Sequence, residues 1–119
     1  MPDPKGHPTT GEMDLFTVLK ALSDPMRYQV MAALVRQSED IERTCTSFGL
    51  PVSKSTRTHH FRALREAGLI RQVDRGNSHG AQLRRQEIED RFPGLLKLIA
   101  DNPTPAGLAN IAPNETVGA

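Results

Sequence analysis

The sequence predicts a mainly α-helical domain with one small β-hairpin, and three observations support this prediction. Apolar residues between positions 12 and 100 recur mostly at spacings of three and four, which is typical of helices that bury one face. Capping residues stand where several of these runs begin, and glycine stands where one of them ends. Two short apolar runs flank the turn-rich segment RGNSHG, and this arrangement indicates a hairpin.

The first two helices are predicted at residues 12–22 and 25–37. In the first helix, Met13, Phe16 and Leu19 recur at a spacing of three. The second begins at Asp24-Pro25, because aspartate is a favoured N-cap and proline at the first helical position lacks only an N–H that has no partner within the helix. The expected buried side of the second helix consists of Met26, Val30, Met31, Ala33 and Leu34.

Two further helical segments precede the hairpin. Ile41, Cys45 and Phe48 keep a helical spacing and predict a short helix over residues 41–48. The next helix is predicted over Lys54–Ala67, with Ser53 as its N-cap and Gly68 as the left-handed residue that follows its last turn.

The hairpin and the last helices complete the domain. Leu69, Ile70 and Val73 predict a strand, residues 81–84 predict the returning strand, and helices follow at 86–91 and 93–100. The element order α-α-α-α-β-β-α is that of a winged helix-turn-helix fold, in which the hairpin is the wing. Both ends of the chain are rich in proline. We therefore expect a disordered leader at 1–11, the domain at 12–101 and a disordered tail at 102–119.

Length and composition exclude several classes of protein. The 119 residues suit one compact domain, and a single cysteine excludes an internal disulfide framework, which fits a reducing cytoplasm. No apolar run approaches the roughly 20 residues of a membrane span, so we expect no membrane partner. No nucleophile–base set, glycine-rich phosphate loop or carboxylate pair suggests a catalytic pocket. We therefore expect no enzyme activity and no cofactor.

The charges are unevenly distributed along the chain. The net charge is only +1, but residues 54–85 hold eight basic and two acidic side chains, a local +6. The remainder holds seven basic and twelve acidic side chains, a net −5. This separation predicts a basic surface on an otherwise acidic body, although charges that merely solvate exposed helices would give the same count.

The predicted helix Lys54–Ala67 has two chemically different faces. At 100° per residue, Arg57, His60, Phe61 and Leu64 share one face, which can pack on the preceding helices, while Ser55, His59, Arg62 and Glu66 lie opposite. Short hydroxyls, an imidazole and a guanidinium can reach base edges and phosphates in a major groove. The side chains expected to contact double-stranded DNA are Lys54, Ser55, Thr56, Arg57, Thr58, His59 and Arg62 on this helix and Arg75, Asn77 and His79 on the wing. The alternative is a winged-helix protein-interaction module that binds no DNA.

Two segments carry a resemblance to a known family. LKALSDPMRYQVMAAL and LPVSKSTRTHHFRALREAGLI, followed by a short glycine-bearing wing, resemble the ArsR-type winged-helix repressors of bacteria, and the SKSTRTHHFRALREAG run resembles an actinobacterial branch. The resemblance covers residues 14–99. It implies a homodimer, paired through its first and last helices, that represses transcription at an inverted-repeat operator. It also implies that Lys54, Ser55, Thr56, Thr58 and His59 read the bases.

The chain departs from this family pattern at two places. Position 57 is usually apolar in the family, whereas here it is Arg57, whose stem we expect to pack while its guanidinium reaches toward phosphate. The returning wing strand, GAQLRR, lacks the aromatic residues often found there.

The metal sites used by many members of that family lack their ligands here. The thiolate site needs at least a Cys-x-Cys pair, but ERTCTSFG offers Cys45 alone. The second site takes histidine from the last helix, but no His or Cys follows His79. Adjacent His59 and His60 diverge by 100° on a helix and do not readily share one ion. We therefore expect no metal site, and the signal, if there is one, would be an unknown small-molecule inducer.

Cys45 has two interpretations. A redox sensor would need an exposed thiol of low pKa, with Arg43 as a candidate to lower it. A lone cysteine four residues after Ile41 also fits a small apolar filler of the core, and we favour this interpretation.

Overall fold

The second helix lies at the centre of the molecule. In the computed structural model, which describes residues 6–103, all residues from Gln29 to Val35 are buried. Neighbouring helices and the hairpin pack around this segment. The helices are α1 (Leu15–Leu22), α2 (Pro25–Arg36), α3 (Lys54–Ala67), α4 (Arg85–Arg91) and α5 (Leu95–Asp101), with 3-10 helices at Thr10–Glu12 and Cys45–Phe48. This arrangement buries a single apolar core.

Three short strands form one antiparallel sheet. The strands are β1 (Arg43–Thr44), β2 (Ile70–Asp74) and β3 (His79–Leu83), in the spatial order β1-β3-β2. Ile70 pairs with Leu83 at the base of the hairpin and Asp74 with His79 near its tip. The prediction of a mainly α-helical, winged helix-turn-helix fold is confirmed.

Local capping determines where the helices begin and end. Asp24 accepts hydrogen bonds from the N–H groups of Met26 (2.8 Å) and Arg27 (3.2 Å), and Ser53 accepts one from Thr56 (3.2 Å). The last turn of α3 ends at Gly68, whose φ of 88° lies in the left-handed region. These caps confirm the predicted bounds of α3 and the predicted start of α2.

The first helix begins later than predicted. Asp14 accepts a hydrogen bond from the N–H of Thr17 at 3.0 Å and starts α1 at Leu15, so the apolar spacing from Met13 onward does not belong to one helix. The buried residues of α1 are Val18 and Ala21. Phe16 is 74 % exposed, and Leu15 and Leu19 are exposed as well. We call Leu15, Phe16 and Leu19 the apolar face of α1.

The helix predicted over residues 41–48 is wrong in its first half. Arg43 and Thr44 pair with Ala81 and Gly80 as β1, and only Cys45–Phe48 is helical. Pairing with β3 explains the difference, because the ladder holds Arg43 and Thr44 in an extended conformation. The guanidinium of the buried Arg43 donates from Nε to Ser47 Oγ (2.8 Å) and lies 4.2 Å from the centre of the Phe48 ring, and these contacts attach β1 to the helical turn that follows.

Part of the predicted leader packs on the domain. His7 is 6 % exposed, and its Nε2 accepts a hydrogen bond from the backbone N–H of Gln72 on β2 at 2.9 Å. His7 therefore lies against β2 of the wing. Residues 1–5 of the predicted leader and 104–119 of the predicted tail lie outside the described residues. Within the described part, no helix is long and apolar enough to cross a membrane.

Candidate nucleic-acid interface

The α3 helix presents one polar side to solvent. His60, Phe61, Leu64 and Ala67 are buried, as the helical periodicity predicts. Phe61 packs against Phe48 with ring centres 5.5 Å apart, which attaches the helix to the core. The exposed residues of its first half are Lys54, Ser55, Thr56, Thr58, His59 and Arg62. The structure thus brings these six predicted contact residues together on one accessible surface.

The hydroxyl groups at the start of α3 form a local network. Ser53 Oγ donates to Thr56 Oγ1 at 3.0 Å and lies 3.3 Å from Ser55 Oγ. A hydroxyl group can donate one hydrogen bond and accept two, so Ser55 and Thr56 keep further capacity for an external partner.

The wing turn is shaped by its own side chains. Asp74 Oδ1 accepts a hydrogen bond from the N–H of Gly76 (2.9 Å), the N–H of Arg75 donates to the carbonyl of Ser78 (2.8 Å), and Gly76 supplies a φ of 88°. Asn77 is exposed on this turn, and His79, the first residue of β3, is exposed beside it. The predicted wing residues therefore lie at the tip of the hairpin and are accessible.

A cleft of about 750 Å³ separates α3 from the wing. Its wing side is formed by Gln72 and residues 74 and 76–79, and Cys45 and Thr46 also line it. Arg65 spans the two sides, since its Nη1 donates to Gln72 Oε1 at 2.9 Å. The helix side of the cleft is formed by Lys54, Arg57, Thr58, Phe61, Arg62 and Arg65. Four cations against the single carboxylate of Asp74 make this cleft electropositive.

Arg57 occupies the boundary between core and cleft. It is half-buried, unlike its exposed neighbours Thr56 and Thr58, and it lines the cleft beside Cys45. Within residues 6–103, neither Arg57 nor Lys54 nor Arg62 forms an ion pair. These three charges are therefore available to an anionic partner.

The basic segment 54–85 does not form one continuous face. Arg84 is buried and binds Glu87, which Arg71 approaches to 3.9 Å, and Arg85 binds Asp40 through Nε (2.7 Å) and Nη2 (2.9 Å). Arg71, Arg84 and Arg85 line a second depression with these acids. Three of the eight cations counted along the sequence are thus partnered elsewhere, and the positive surface at α3 and the wing is smaller than the local +6 predicts.

The remaining predicted wing contact, Arg75, has an acidic partner that the sequence did not indicate. Its Nε lies 3.1 Å from Glu42 Oε2, and its Nη2 lies 2.5 Å from Oε1. Hydrogen bonding to Arg75 holds the pKa of Glu42 below its usual value, so the carboxylate is ionised. Thirty-three positions separate the two residues, and no sequence motif links them.

The two adjacent histidines of α3 have different environments. His59 is exposed, whereas His60 is buried, and its Nδ1 lies 3.3 Å from Nη1 of Arg27 on α2. Burial lowers the pKa of His60. The side chain of His60 is therefore attached to α2.

Cys45 lies in the core beside the cleft. It is 7 % exposed, and burial raises the pKa of its thiol to about 11, against a smaller lowering by Arg57. The guanidinium of Arg43, the predicted helper of the thiol, binds Ser47, and the charge that lowers the pKa of Cys45 is that of Arg57. These features favour the core interpretation of Cys45. In the part of the chain that the structure describes, no group of three or more His, Cys, Asp or Glu side chains could hold a metal ion.

The fold and this surface together define a winged helix-turn-helix domain whose exposed polar helix borders an electropositive cleft. No family model matches the chain. Over 84 residues, the chain is 29 % identical to a protein of Bacillus subtilis (strain 168) named "Uncharacterized HTH-type transcriptional regulator YceK". The match spans 69 % of this chain and 82 % of that protein. The similarity supports a helix-turn-helix regulator.

Proposed function

We propose that the protein is a sequence-specific, DNA-binding transcriptional repressor of the ArsR type, related to its actinobacterial branch, which acts as a homodimer at an inverted-repeat operator. One observation supports DNA binding above all. Lys54 and Arg62 on the exposed side of α3 and the half-buried Arg57 all line the cleft beside the wing, and none of the three forms an ion pair with a residue of the described range 6–103. The concentration of these positive charges along one cleft suits a polyanion such as DNA.

Each part of this surface has a distinct proposed role. The first turn of α3 enters the major groove, where Ser55, Thr56, Thr58 and His59 meet base edges. Lys54, Arg57 and Arg62 bind phosphates and supply affinity that does not depend on sequence. Asn77 and His79 on the wing reach the backbone or the adjacent minor groove.

The proposed homodimer has a candidate interface outside this surface. The apolar face of α1 is exposed, and Leu98 on α5 is 62 % exposed. Both helices pack on α2, so they are held in a fixed relation to the core. Apolar surface that remains exposed on a small domain is typical of an association site. Pairing through α1 and α5 would place two α3 helices in successive major grooves, roughly 34 Å apart.

Selection of DNA from a random duplex library by the full-length protein tests this proposal. We expect enrichment of an inverted repeat, with half-site centres about one helical turn or a multiple of it apart. The selected duplex should bind at least roughly 1,000-fold more tightly than a scrambled duplex at physiological salt.

A matched pair of variants attributes the binding to α3. Arg62→Gln should weaken binding, whereas Arg36→Gln, which removes an equal charge at the exposed end of α2, should not. Equal affinity for selected and scrambled DNA, with no enrichment, would reject the proposal in favour of the protein-interaction module.

A further inference from the structure

The Glu42–Arg75 pair connects the chain before β1 to the tip of the wing. Both oxygens of the Glu42 carboxylate accept hydrogen bonds from the Arg75 guanidinium. Oε2 accepts from Nε at 3.1 Å, and Oε1 accepts from Nη2 at 2.5 Å. This bidentate arrangement uses the donor edge through which arginine also binds phosphate. The side chain of Arg75 remains 60 % exposed, so a phosphate could reach the same group from solvent.

Gly80 is the position that allows this contact. A Cβ atom built there would lie 2.1 Å from Glu42 Oε2 and 2.5 Å from its Cγ and Cδ. The φ of Gly80 is not among the positive values, so its backbone does not itself require glycine. The missing side chain instead lets Glu42 cross β3 on its way to Arg75, and the pair is therefore a built feature of the wing.

The pair is unusual among the cations of the proposed DNA-binding surface. Within the described range 6–103, Lys54, Arg57 and Arg62 have no acidic partner, and Arg65 approaches Glu66 only at 3.9 Å. Arg75 alone among these five is held by a bidentate carboxylate. An ionised Glu42 also places a negative charge where the wing would meet a phosphate.

We propose that Glu42 is an intramolecular competitor of DNA phosphate for Arg75, so that it limits the affinity of the wing for DNA of any sequence. The inference rests on the proposed DNA-binding function. A phosphate that uses the Nε–Nη2 edge of Arg75 must displace the Glu42 carboxylate, and the ionised carboxylate repels a phosphate that approaches the remaining N–H groups. Glu42 acts only by occupying the guanidinium of Arg75, and it contacts no base.

The test compares Glu42→Gln with the wild-type protein on the selected operator and on a scrambled duplex. We expect Glu42→Gln to bind both duplexes roughly threefold to tenfold more tightly, because Arg75 becomes free to neutralise one more phosphate. The slope of log affinity against log salt, measured between about 50 and 200 mM, should steepen by about 0.9.

Two further variants separate this effect from a change in net charge. Glu39→Gln removes the same charge three residues away, at an exposed side chain without an ion pair among the described residues, and should leave the salt slope unchanged. Arg75→Gln should weaken binding only slightly in the wild-type background but should cancel the whole gain in the Glu42→Gln background. Circular dichroism and thermal unfolding verify that each variant is folded.

Each outcome decides the inference. Suppose that the wild-type protein binds its operator. If Glu42→Gln then binds more weakly, Glu42 orients Arg75 for binding, and if the salt slope is unchanged, Glu42 has no effect on phosphate binding. Either result contradicts this inference and leaves the proposed function intact. If wild-type protein binds no DNA, the inference falls together with the proposed function. A gain that persists in the double variant assigns the effect to general charge and also overturns the inference.

Discussion

The imidazole of His60 on α3 accepts a hydrogen bond from the guanidinium of Arg27 on α2, with 3.3 Å between Nδ1 and Nη1. Arg27 also donates from Nε to the carbonyl of Ala21 at the end of α1 (2.8 Å), so one side chain joins three helices. The acceptor nitrogen is available only while His60 is neutral. Burial lowers the pKa of His60, and the positive charges of Arg27 and His59 lower it further, against a raising effect of Asp24.

This relationship predicts a loss of stability in mild acid. In the unfolded chain a histidine takes up a proton near pH 6.5, whereas the folded protein resists protonation until a lower pH. Below about pH 6.5 the unfolded state thus binds more protons, and the free energy of unfolding should fall as the pH falls, by at most about 1.4 kcal/mol per pH unit. Urea unfolding at a series of pH values measures the effect.

His60→Gln should remove most of this dependence between about pH 7 and 5.5, whereas His59→Gln, at an exposed site, should keep it. A wild-type stability that stays constant across this range would contradict the role given to His60.

Alanine at Gly68 is predicted to destabilise the domain more than alanine at Gly49, although both glycines have a positive φ. Alanine there must adopt a φ near 88°, which costs about 1–2 kcal/mol, and its Cβ would lie 2.6 Å from Met13 Cγ, which adds about 1–3 kcal/mol. Gly49→Ala is the matched control, because its φ is 64° but nothing lies within 4 Å of the added Cβ. Chemical denaturation should show a larger loss for Gly68→Ala. If both variants lost the same free energy of unfolding, the contact with Met13 would add nothing to the cost of Gly68→Ala.

Cys45 is predicted to be chemically inert in the folded protein. With a thiol pKa of about 11 and a buried side chain, little thiolate is present at neutral pH. A disulfide exchange reagent should therefore modify the folded protein at least roughly tenfold more slowly than the same protein in denaturant. Peroxide should leave operator affinity unchanged. Fast modification together with loss of DNA binding would restore the redox-sensor interpretation.

His59 and Arg62 should affect DNA binding in different ways. His59→Ala should change the relative affinity for single-base operator variants by about 1–3 kcal/mol at one position, without a change in the salt slope. Arg62→Gln should weaken binding to all sequences and flatten the salt slope by about 0.9. Competition assays on a panel of operator variants at two salt concentrations measure both. If the two variants exchanged these effects, the proposed roles would be reversed.

The apolar face of α1 is predicted to hold two subunits together. Phe16→Glu should shift the protein to a monomer in sedimentation experiments and weaken operator binding at least roughly tenfold, because two half-sites then bind independently. Since Phe16 is 74 % exposed, the stability of the isolated subunit should change by less than about 0.5 kcal/mol. Ile41→Glu places the same charge at another exposed apolar position and should leave the oligomeric state unchanged. If the Phe16→Glu variant remained a dimer, the subunits would have to associate through a different interface.

The parts of the fold that were correctly predicted depend on local chemistry. Ser53 and Gly68 set the bounds of α3, and the alternation of polar and apolar residues between them determines which side faces the core. Asp24 and Pro25 start α2 in the same way. Each of these signals acts within a few residues, so it can be read without knowledge of the rest of the chain.

The errors arise where distant segments meet. The strand at Arg43 exists because β3 lies beside it, and helical spacing in the sequence does not reveal that neighbour. The spacing of Phe16 and Leu19 indicates a helix but not whether the core or another surface covers them. Only Gly80 could have indicated the Glu42–Arg75 pair, because a glycine within a strand often marks a close approach of another group, here the Glu42 side chain. In the sequence-based prediction, Gly80 belongs to the turn and not to the strand.

The contact between His7 and Gln72 has a consequence for the solution behaviour of the protein. In the described sheet, β2 is an edge strand, and edge strands offer free N–H groups to which another chain can add by forming further hydrogen bonds. The imidazole of His7 occupies one of these groups on β2. Another chain that adds to β2 must therefore first displace His7 from the N–H of Gln72, so we expect this contact to disfavour association of the protein through strand addition.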